Sequence, residues 1–392
     1  MPPLADIRLL APPAVRWAPA DLHAAVRTAL AALGSPGRLT VVVNDPQRAT
    51  DSRPVLEALR AEFDPTRCRI LVAAGTHTFS ADAQAHFQMR IAGGFSLAGF
   101  AWHDCRADEL VAVGGADGWR GHPWLLDADA VLAVGSVEPH YFAGFTGAHK
   151  TATIGCASCA DIEANHAWAV HDSCRPCRTE GNPVFEGVRG LLASLEQVQR
   201  VAAVNVVQRG DRIIHACGGR VMPALEAAAP VAEAACTCRI DFPADAIIAE
   251  VTGPLAASFY QADKGLKNNE WAVRDGGCMV LLAPCPDGIG QDHFMGLLRE
   301  AADYEQAAAL VARRGYRLGD HKALRLRHLT DPRRRGVRLF IVSDGINDEQ
   351  ARTLGAAKVA DVDEALREGG IDAAGQVVCR VGDAGNTCVL TA

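Results

Sequence analysis

No apolar run in this chain approaches the ~20 residues that a helix needs to cross a bilayer, so a transmembrane anchor is not expected. The stretch from Met1 to Arg16 lacks a basic start followed by a long apolar core and does not read as a secretion signal. The cytoplasm is the default compartment. No low-complexity tract and no short-period repeat is present, which argues against a solenoid. The G-x-S-x-G elbow, the Walker loop and H-E-x-x-H are all missing, so the common hydrolase and nucleotidase readings lack their residues. No early strand is followed by G-x-G-x-x-G, which disfavours a soluble nicotinamide cofactor in its usual pose.

What is present is the makeup of an ordinary soluble globular protein, with 49% apolar and 22% charged residues, enough to bury sizeable cores. At 392 residues the chain is too long for one typical core, and two domains are expected. A formal net charge of -7 gives no reason to expect nucleic acid or a membrane surface as partner. A local basic run (Lys322, Arg325, Arg327, Arg333, Arg334, Arg335, Arg338) has no interleaved aromatics and reads as a solvated helix face and loop. Thirteen cysteines, an odd number spread along the chain, argue for reduced thiols. Two pairs, Cys156-x-x-Cys159 and Cys174-x-x-Cys177, lie fourteen residues apart, close to a zinc-ribbon spacing. Against a ribbon, the intervening segment carries a helical pattern with His166.

Strand-like runs alternate with helical patterns. A helix over Ala20 to Leu33 precedes a β-branched strand, Arg38 to Asn44, then the loop Asp45 to Thr50 and a helix from Arg53 to Phe63. A strand from Cys68 to Ala74 leads through Gly75-Thr76-His77-Thr78 to a helix over Ser80 to Ile91. Strands Leu97 to Trp102 and Ala130 to Val134 follow. After His171 come helix Pro183 to Gln199, strand Val201 to Gln208 and helix Pro223 to Cys236. The pattern restarts near residue 240 with strands Ala246 to Val251, Cys278 to Ala283 and Leu339 to Val342. The tail, Val377 to Leu390, can add a strand to either domain. This alternation predicts an α/β fold of two domains, 1–240 and 241–392, each with a mostly parallel sheet flanked by helices.

Polar residues suited to chemistry sit just past several strand ends: Asp45 and Arg48, His77, and His140. In doubly wound sheets such ends converge on one crevice. The stretch Glu138 to Lys150 brings a histidine, a flexible loop with Gly144 and Gly147, and an amine that binds an anion or becomes a nucleophile when desolvated. His140 can be a general base, and His166 a base or a metal ligand. Taken singly, each is equally a surface histidine, a turn glycine or a solvated lysine. Arg48 either clamps a carboxylate or pairs with Asp45. Gln261 and Lys264, three apart on a helix, present an amide and an ammonium to one side, toward a cleft or toward solvent. Asp287-Gly-Ile-Gly290 is a glycine loop after a strand, suited to a phosphate but weak as a single G-x-G.

In this order the motifs resemble the nickel-pincer-nucleotide-dependent lactate racemase family over essentially the whole chain. The matching pieces are Asp45-x-x-Arg48, Gly75-Thr76-His77, Glu138-Pro139-His140, Gly144-Phe-Thr-Gly-x-x-Lys150, Asn165-His166, Tyr260-Gln-x-x-Lys264-Gly and Asp287-Gly-x-Gly290. The spacings, ten residues from His140 to Lys150 and sixteen from Lys150 to His166, are similar too. The resemblance implies a pyridinium-3-thioamide-5-thiocarboxylate mononucleotide tethered to Lys150, with nickel gripped by two sulfurs and a ring carbon. His166 would fill the fourth position, a sensible ligand set for square-planar nickel. Asp45, Gly144, Gly147, Gly288 and Gly290 would bind the cofactor. Arg48, Gln261 and Lys264 would hold the substrate, with His77 and His140 as paired bases. Partners would be a small 2-hydroxy acid and the enzymes that make the cofactor, with no oligomeric state specified.

The implied reaction is racemisation or epimerisation of a 2-hydroxy acid in a cleft between the two domains. Hydride leaves Cα for the tethered group and returns to the opposite face. Taking hydride avoids building an enediolate beside an existing carboxylate, provided a base accepts the hydroxyl proton. Three departures from the family pattern would surround the pocket: Thr78 where an arginine is common, Gly147-Ala148-His149 where Gly-Gly is usual, and Ile154 to Cys159 in place of a Pro-Gly-Ile-Ala-Gly-like passage. They turn the expectation away from lactate itself. Two other readings stand beside this one: a hydride-shuttling redox or dehydratase-type enzyme with the same cofactor, and a zinc- or ligand-binding protein built on the two C-x-x-C pairs.

Overall fold

The computed structural model describes residues 7–15, 17–48, 50–115, 118–371 and 375–391. Ala49, inside the loop expected after the first helix-strand pair, lies outside the described residues, as do residues 1–6 and Arg16 of the stretch read for a secretion signal. The chain forms two units: Val15–Ala235, and Cys236–Ala392 together with the first fourteen residues. Among the described residues no helix is long and apolar enough to cross a membrane.

Strand β1 (Ile7–Leu10) comes first. In the unit Val15–Ala235, helices α1 (Leu22–Leu33), α2 (Arg53–Glu62) and α3 (Ala81–Ala92) alternate with β2 (Leu39–Asn44), β3 (Cys68–Ala73) and β4 (Gly99–Trp102). A small ribbon, β5 (Val111–Val113) with β6 (Trp119–Gly121), precedes β7 (Ala130–Ser136). A short hairpin, β8 (Pro139–His140) and β9 (Gly144–Phe145), leads into α4 (Ala148–Ala152), α5 (Cys159–His166) and α6 (Pro183–Val198). β10 (Val201–Arg209), β11 (Arg212–Gly219) and α7 (Val221–Cys236) complete it.

The sheet order is β11-β10-β7-β2-β3-β4, parallel throughout except for β10 with β11. From β2 the chain moves outward to β3 and β4, then returns to set β7 on the other side of β2. The order therefore reverses between β2 and β7, the kind of switch point where ligand crevices open past the strand ends. β2, β3 and β7 are covered on both faces, which is why they read as unbroken apolar runs. β11 was not legible as a strand because its exposed edge carries mixed residues after the Gly210 turn.

Gly135, near the end of β7, fixes how closely α4 can lie. A Cβ there would sit 2.4 Å from the Ala148 nitrogen. The Ala148 N–H in turn donates to Asn205 Oδ1 at 2.9 Å, tying α4 to β10. His149 is wholly buried under this helix start, against Phe185 at 5.5 Å.

The second unit contains β12 (Thr237–Ile240), β13 (Ala244–Glu250), α8 (Phe259–Asn269), β14 (Val273–Leu282), α9 (His293–Glu300), α10 (Tyr304–Arg314) and α11 (Asp320–Thr330). β15 (Arg338–Val342), α12 (Asp348–Leu354), β16 (Ala356–Lys358), α13 (Val362–Glu368), β17 (Val378–Val381) and β18 (Cys388–Thr391) follow. Its sheet, β1-β17-β13-β14-β15-β16, is parallel at every pairing, and β18 pairs with β12. Both strands of the tail thus lie in this unit. So does β1, which the expected division 1–240 had assigned to the first domain. Four residues of strand carry no signal for which distant sheet edge they complete.

The basic run also needs correction. Lys322, Arg325 and Arg327 are buried, not solvated. Lys322 Nζ donates to Asp263 Oδ2 and to the Tyr260 carbonyl, each at 3.1 Å. Arg325 Nε donates to Glu270 Oε1 at 3.0 Å, and the fully buried Lys267 lies 3.4 Å from Glu270 Oε2. Arg327 donates to the carbonyls of Leu298, Ala301 and Thr353. Burial alone would raise the Glu270 carboxyl, but Arg325 and Lys267 hold it below its ordinary value. The acidic partners stand far away in sequence, so a local reading sees only the cations. Arg333, Arg334 and Arg338 remain exposed as expected.

Two outcomes are predicted. Gly135→Ala should cost about 1–3 kcal/mol by overpacking, read from the chemical-denaturation midpoint, whereas Gly190→Ala, where a Cβ meets nothing within 4 Å, should not destabilise. Burial, helped by Lys150, lowers His149 to about 3, and burial, with His103, lowers His122 to about 4, both from an ordinary 6.5. Between those values the unfolded chain binds protons that the folded chain does not, so stability should fall as pH drops below about 6.5. Denaturation midpoints measured from pH 7 to pH 4 should show that fall, and a His149→Leu variant should make it shallower.

Candidate active site

The loop after β2 turns tightly, with Arg48 N–H donating to the Asp45 carbonyl at 3.1 Å. Asp45 is buried, and its carboxylate faces two donors. Oδ1 accepts from Gln47 N at 2.7 Å, and Oδ2 lies 3.0 Å from His77 Nδ1. Asp45, expected to pair with Arg48 or bind the cofactor, turns its carboxylate to His77. The loop carrying His77 is pinned by Gly75 N–H to the Gly155 carbonyl at 2.9 Å. With the Nδ1 proton directed at Asp45, Nε2 carries the lone pair, the arrangement of a carboxylate-oriented general base.

A chain of short polar contacts bridges the switch point. Thr151 Oγ1 of α4 donates to Asn44 Oδ1 at 2.8 Å, Asn44 Nδ2 donates to Thr50 Oγ1 at 2.8 Å, and Thr50 and Ser136 hydroxyls lie 2.6 Å apart. It links α4, the end of β2 and the end of β7.

Beyond β7, Thr146 folds the β8–β9 hairpin back by donating to the Ser136 carbonyl at 2.7 Å and accepting from Glu138 N–H at 2.9 Å. His140 is buried there, and its Nδ1 accepts from the N–H groups of Phe142 and Ala143 at 3.5 and 3.3 Å. In the neutral ring the proton therefore sits on Nε2, opposite to His77. The Phe142 ring joins the cluster: His140 stands edge-on at 4.5 Å, His166 at 5.1 Å, and Lys150 Nζ 5.6 Å from its centroid.

His166 ends α5, whose start is capped by Ser158 accepting from Asp161 N–H. Burial first, then the charges of Lys150 and Arg48, lower His166 to about 3, against a weaker opposing bond to the Ile162 carbonyl. With that value the imidazole is neutral near pH 7 and keeps a lone pair on one ring nitrogen. His140, Lys150 and His166 thus meet at the Phe142 ring, with Arg48 close enough to His166 to act on it electrostatically, while His77 stands against Asp45 past the end of β2. Asn165 supports α5 by donating to the Val184 carbonyl at 3.0 Å.

The missing Cβ atoms of Gly144 and Gly147 make room for protein. At Gly144, with φ +69°, a Cβ would lie 2.5 Å from the Arg178 carbonyl oxygen. At Gly147 it would meet His149, Asn205 and Leu225 within 3.1–3.2 Å. In the other unit, Gln261 and Lys264 are half-buried on α8. Gly288 and Gly290, at φ +64° and +75°, shape a loop that caps this helix: the Gly288 and Ile289 carbonyls accept from Phe259 and Tyr260 N–H at 2.9 and 3.0 Å.

Sequence reasoning missed Phe142, whose role shows only when its ring neighbours are known, and Lys322, which braces α8 through Asp263. The zinc alternative finds no site. The Cys156 thiol faces the Thr151 carbonyl at 3.5 Å, and Cys174 faces the Trp168 carbonyl and Asn182 at 3.2 and 3.3 Å. Among the described residues no group of three or more His, Cys, Asp or Glu is set to hold a metal by itself.

Residues 23–175 match the lactate racemase N-terminal domain model and residues 240–376 the lactate racemase C-terminal domain model. Lactate racemase of Thermoanaerobacterium thermosaccharolyticum is 29% identical over 292 residues, covering 71% of this chain and 67% of that protein. Lactate racemase of Lactiplantibacillus plantarum is 30% identical over 181 residues, covering 45% of this chain and 42% of that protein. The structure of the lactate racemase apoprotein from T. thermosaccharolyticum has the same fold, with a TM-score of 0.81 at 22% identity over 95% of this chain and 93% of that one. A Thermotoga maritima protein matches with a TM-score of 0.72 at 15% identity, over 95% and 97%. With its two halves matched by the two domain models, the chain belongs to the lactate racemase family.

Proposed function

We propose that this racemase-type isomerase works in the cytoplasm and inverts the hydroxyl-bearing carbon of a 2-hydroxy acid. It would use a nickel-pincer nucleotide held by Lys150 and His166. The observation that carries the reading is that Lys150 and a partly buried, neutral His166 both stand against the Phe142 ring. The residues fit the group: an amine for covalent attachment, and an imidazole whose lone pair is available near neutral pH as one soft-metal ligand. All thirteen cysteines are free thiols, which supports a reducing compartment.

When bound, such a group supplies a reversible hydride acceptor. The chain's own residues do the rest. Arg48, with Gln261 and Lys264, would fix the substrate carboxylate and hydroxyl. His77 would accept the hydroxyl proton at Nε2, and Asp45 would stabilise the imidazolium that forms. His140, in its imidazolium form, would return a proton to the keto oxygen when the opposite enantiomer is made, and the two rings would exchange roles in the reverse direction.

Protein purified from cells that make the cofactor should carry about one nickel per chain and a mass increment on Lys150. Lys150→Ala and His166→Ala should abolish racemisation, and full activity in both variants would remove the proposal. His77→Ala should lower kcat about 10²–10⁴-fold. Deuterium at Cα should be retained in the inverted product when enantiopure hydroxy acids are screened for loss of optical rotation. Its washout to solvent would indicate proton abstraction instead, and accumulation of a keto acid or an alkene would favour the redox or dehydratase-type alternative.

A further inference from the structure

Ten of the thirteen cysteines are buried, while Cys159, Cys177 and Cys217 reach partway to solvent. Cys217 turns its thiol to the Ala224 carbonyl at 3.0 Å. Cys159 stands beside buried Cys105, close enough for its thiol to disfavour ionisation of the Cys105 thiol. Their backbones are locked side by side: Cys159 N–H donates to the Cys105 carbonyl at 2.9 Å, and His103 Nε2 lies 2.9 Å from the Ala157 carbonyl oxygen. Ser158 N–H donates to the Arg120 carbonyl at 2.7 Å, so the segment is held from both sides. Arg106 Nη1 lies 3.5 Å from the Cys105 sulfur. One thiol is reachable, the second is behind it, and a cation stands beside the second. Cys238 and Cys379 also sense each other, but both are buried and give a reagent no entry.

We propose that Cys105 and Cys159 form a reversible dithiol–disulfide site oxidised by small-molecule disulfides. The Cys159 thiolate attacks one sulfur of the reagent, forming a mixed disulfide and expelling one thiolate. The Cys105 thiolate then attacks the Cys159 sulfur, forming the internal disulfide and expelling the second thiolate. Two protein thiols lose two electrons and two protons, and the reagent is reduced to two thiols. Burial and the neighbouring Cys159 push the Cys105 thiol up to about 12, so the first attack falls to Cys159. Once Cys159 is capped, its charge no longer opposes ionisation of Cys105, and Arg106 favours it. The bond joins the segment after β4 to the first residue of α5, the helix that ends in His166. Reversible pairs of this kind are the usual form of disulfide in reducing compartments.

The test uses the full-length reduced protein, oxidised glutathione as the probe, and peptide mass spectrometry after alkylation of remaining thiols. The expected result is a Cys105–Cys159 cross-linked peptide that added thiol reverses. Cys105→Ser should stop at a glutathione adduct on Cys159, and Cys159→Ser should cut oxidation of Cys105 at least about tenfold. Both cysteines remaining alkylatable in the wild type, while Cys217 carries the adduct, would overturn the proposal. So would undiminished oxidation of Cys105 in Cys159→Ser, a variant at a half-exposed position that decides the matter even if Cys105→Ser does not fold.

Discussion

The hydrogen-bond chain Thr151–Asn44–Thr50–Ser136 is the constraint on which the candidate site rests. Each link is a short polar contact between elements that arrive from different parts of the sequence. Reversal of strand order at β2 and β7 would otherwise leave two strand ends with unrelated loops. The chain fixes the loop of Arg48 against the end of β7 and holds α4, with Lys150, above both. Gly135 complements it sterically by letting α4 approach β7 without a side chain between them. The polar side chains around Phe142 and the loop of Arg48 are thus placed by small residues that perform no chemistry themselves.

Burial then sets the protonation states. His149 is stripped of solvent and His166 is partly buried, and both sit near Lys150, so both stay neutral. His77 has the opposite environment, half-exposed and turned to a carboxylate. His140 meets two backbone N–H groups and takes the other tautomer. One small region therefore holds imidazoles in distinct chemical forms through ordinary devices: desolvation, an oriented anion and backbone donors.

Much of this was legible in the sequence. The β-branched runs of β2, β3 and β7 announced buried parallel strands, and the polar residues just past them marked the crevice. The site motifs could be read because each is local, a few residues after a strand. What could not be read were pairings between distant residues. Asp45 looked like a partner for Arg48 three residues on, yet its carboxylate is turned to His77, thirty-two residues away. Lys322 and Arg325 looked solvated because Asp263 and Glu270, which bury with them, lie more than fifty residues earlier. Cys159 looked like half of a C-x-x-C pair, yet its backbone is bonded to Cys105, fifty-four residues earlier.

The position of β1 has a consequence for how the chain is made. Ile7–Leu10 pairs with Val378–Val381 and forms an edge of the second sheet. A growing polypeptide exposes these first residues long before their partner strand is synthesised, and the first unit can be complete while they still wait. Among the described residues, closing that edge requires the most sequence-distant strand pairing, and non-local pairing in parallel sheets is slow. A fusion or trimming at the amino end would therefore be felt by the carboxyl-terminal unit.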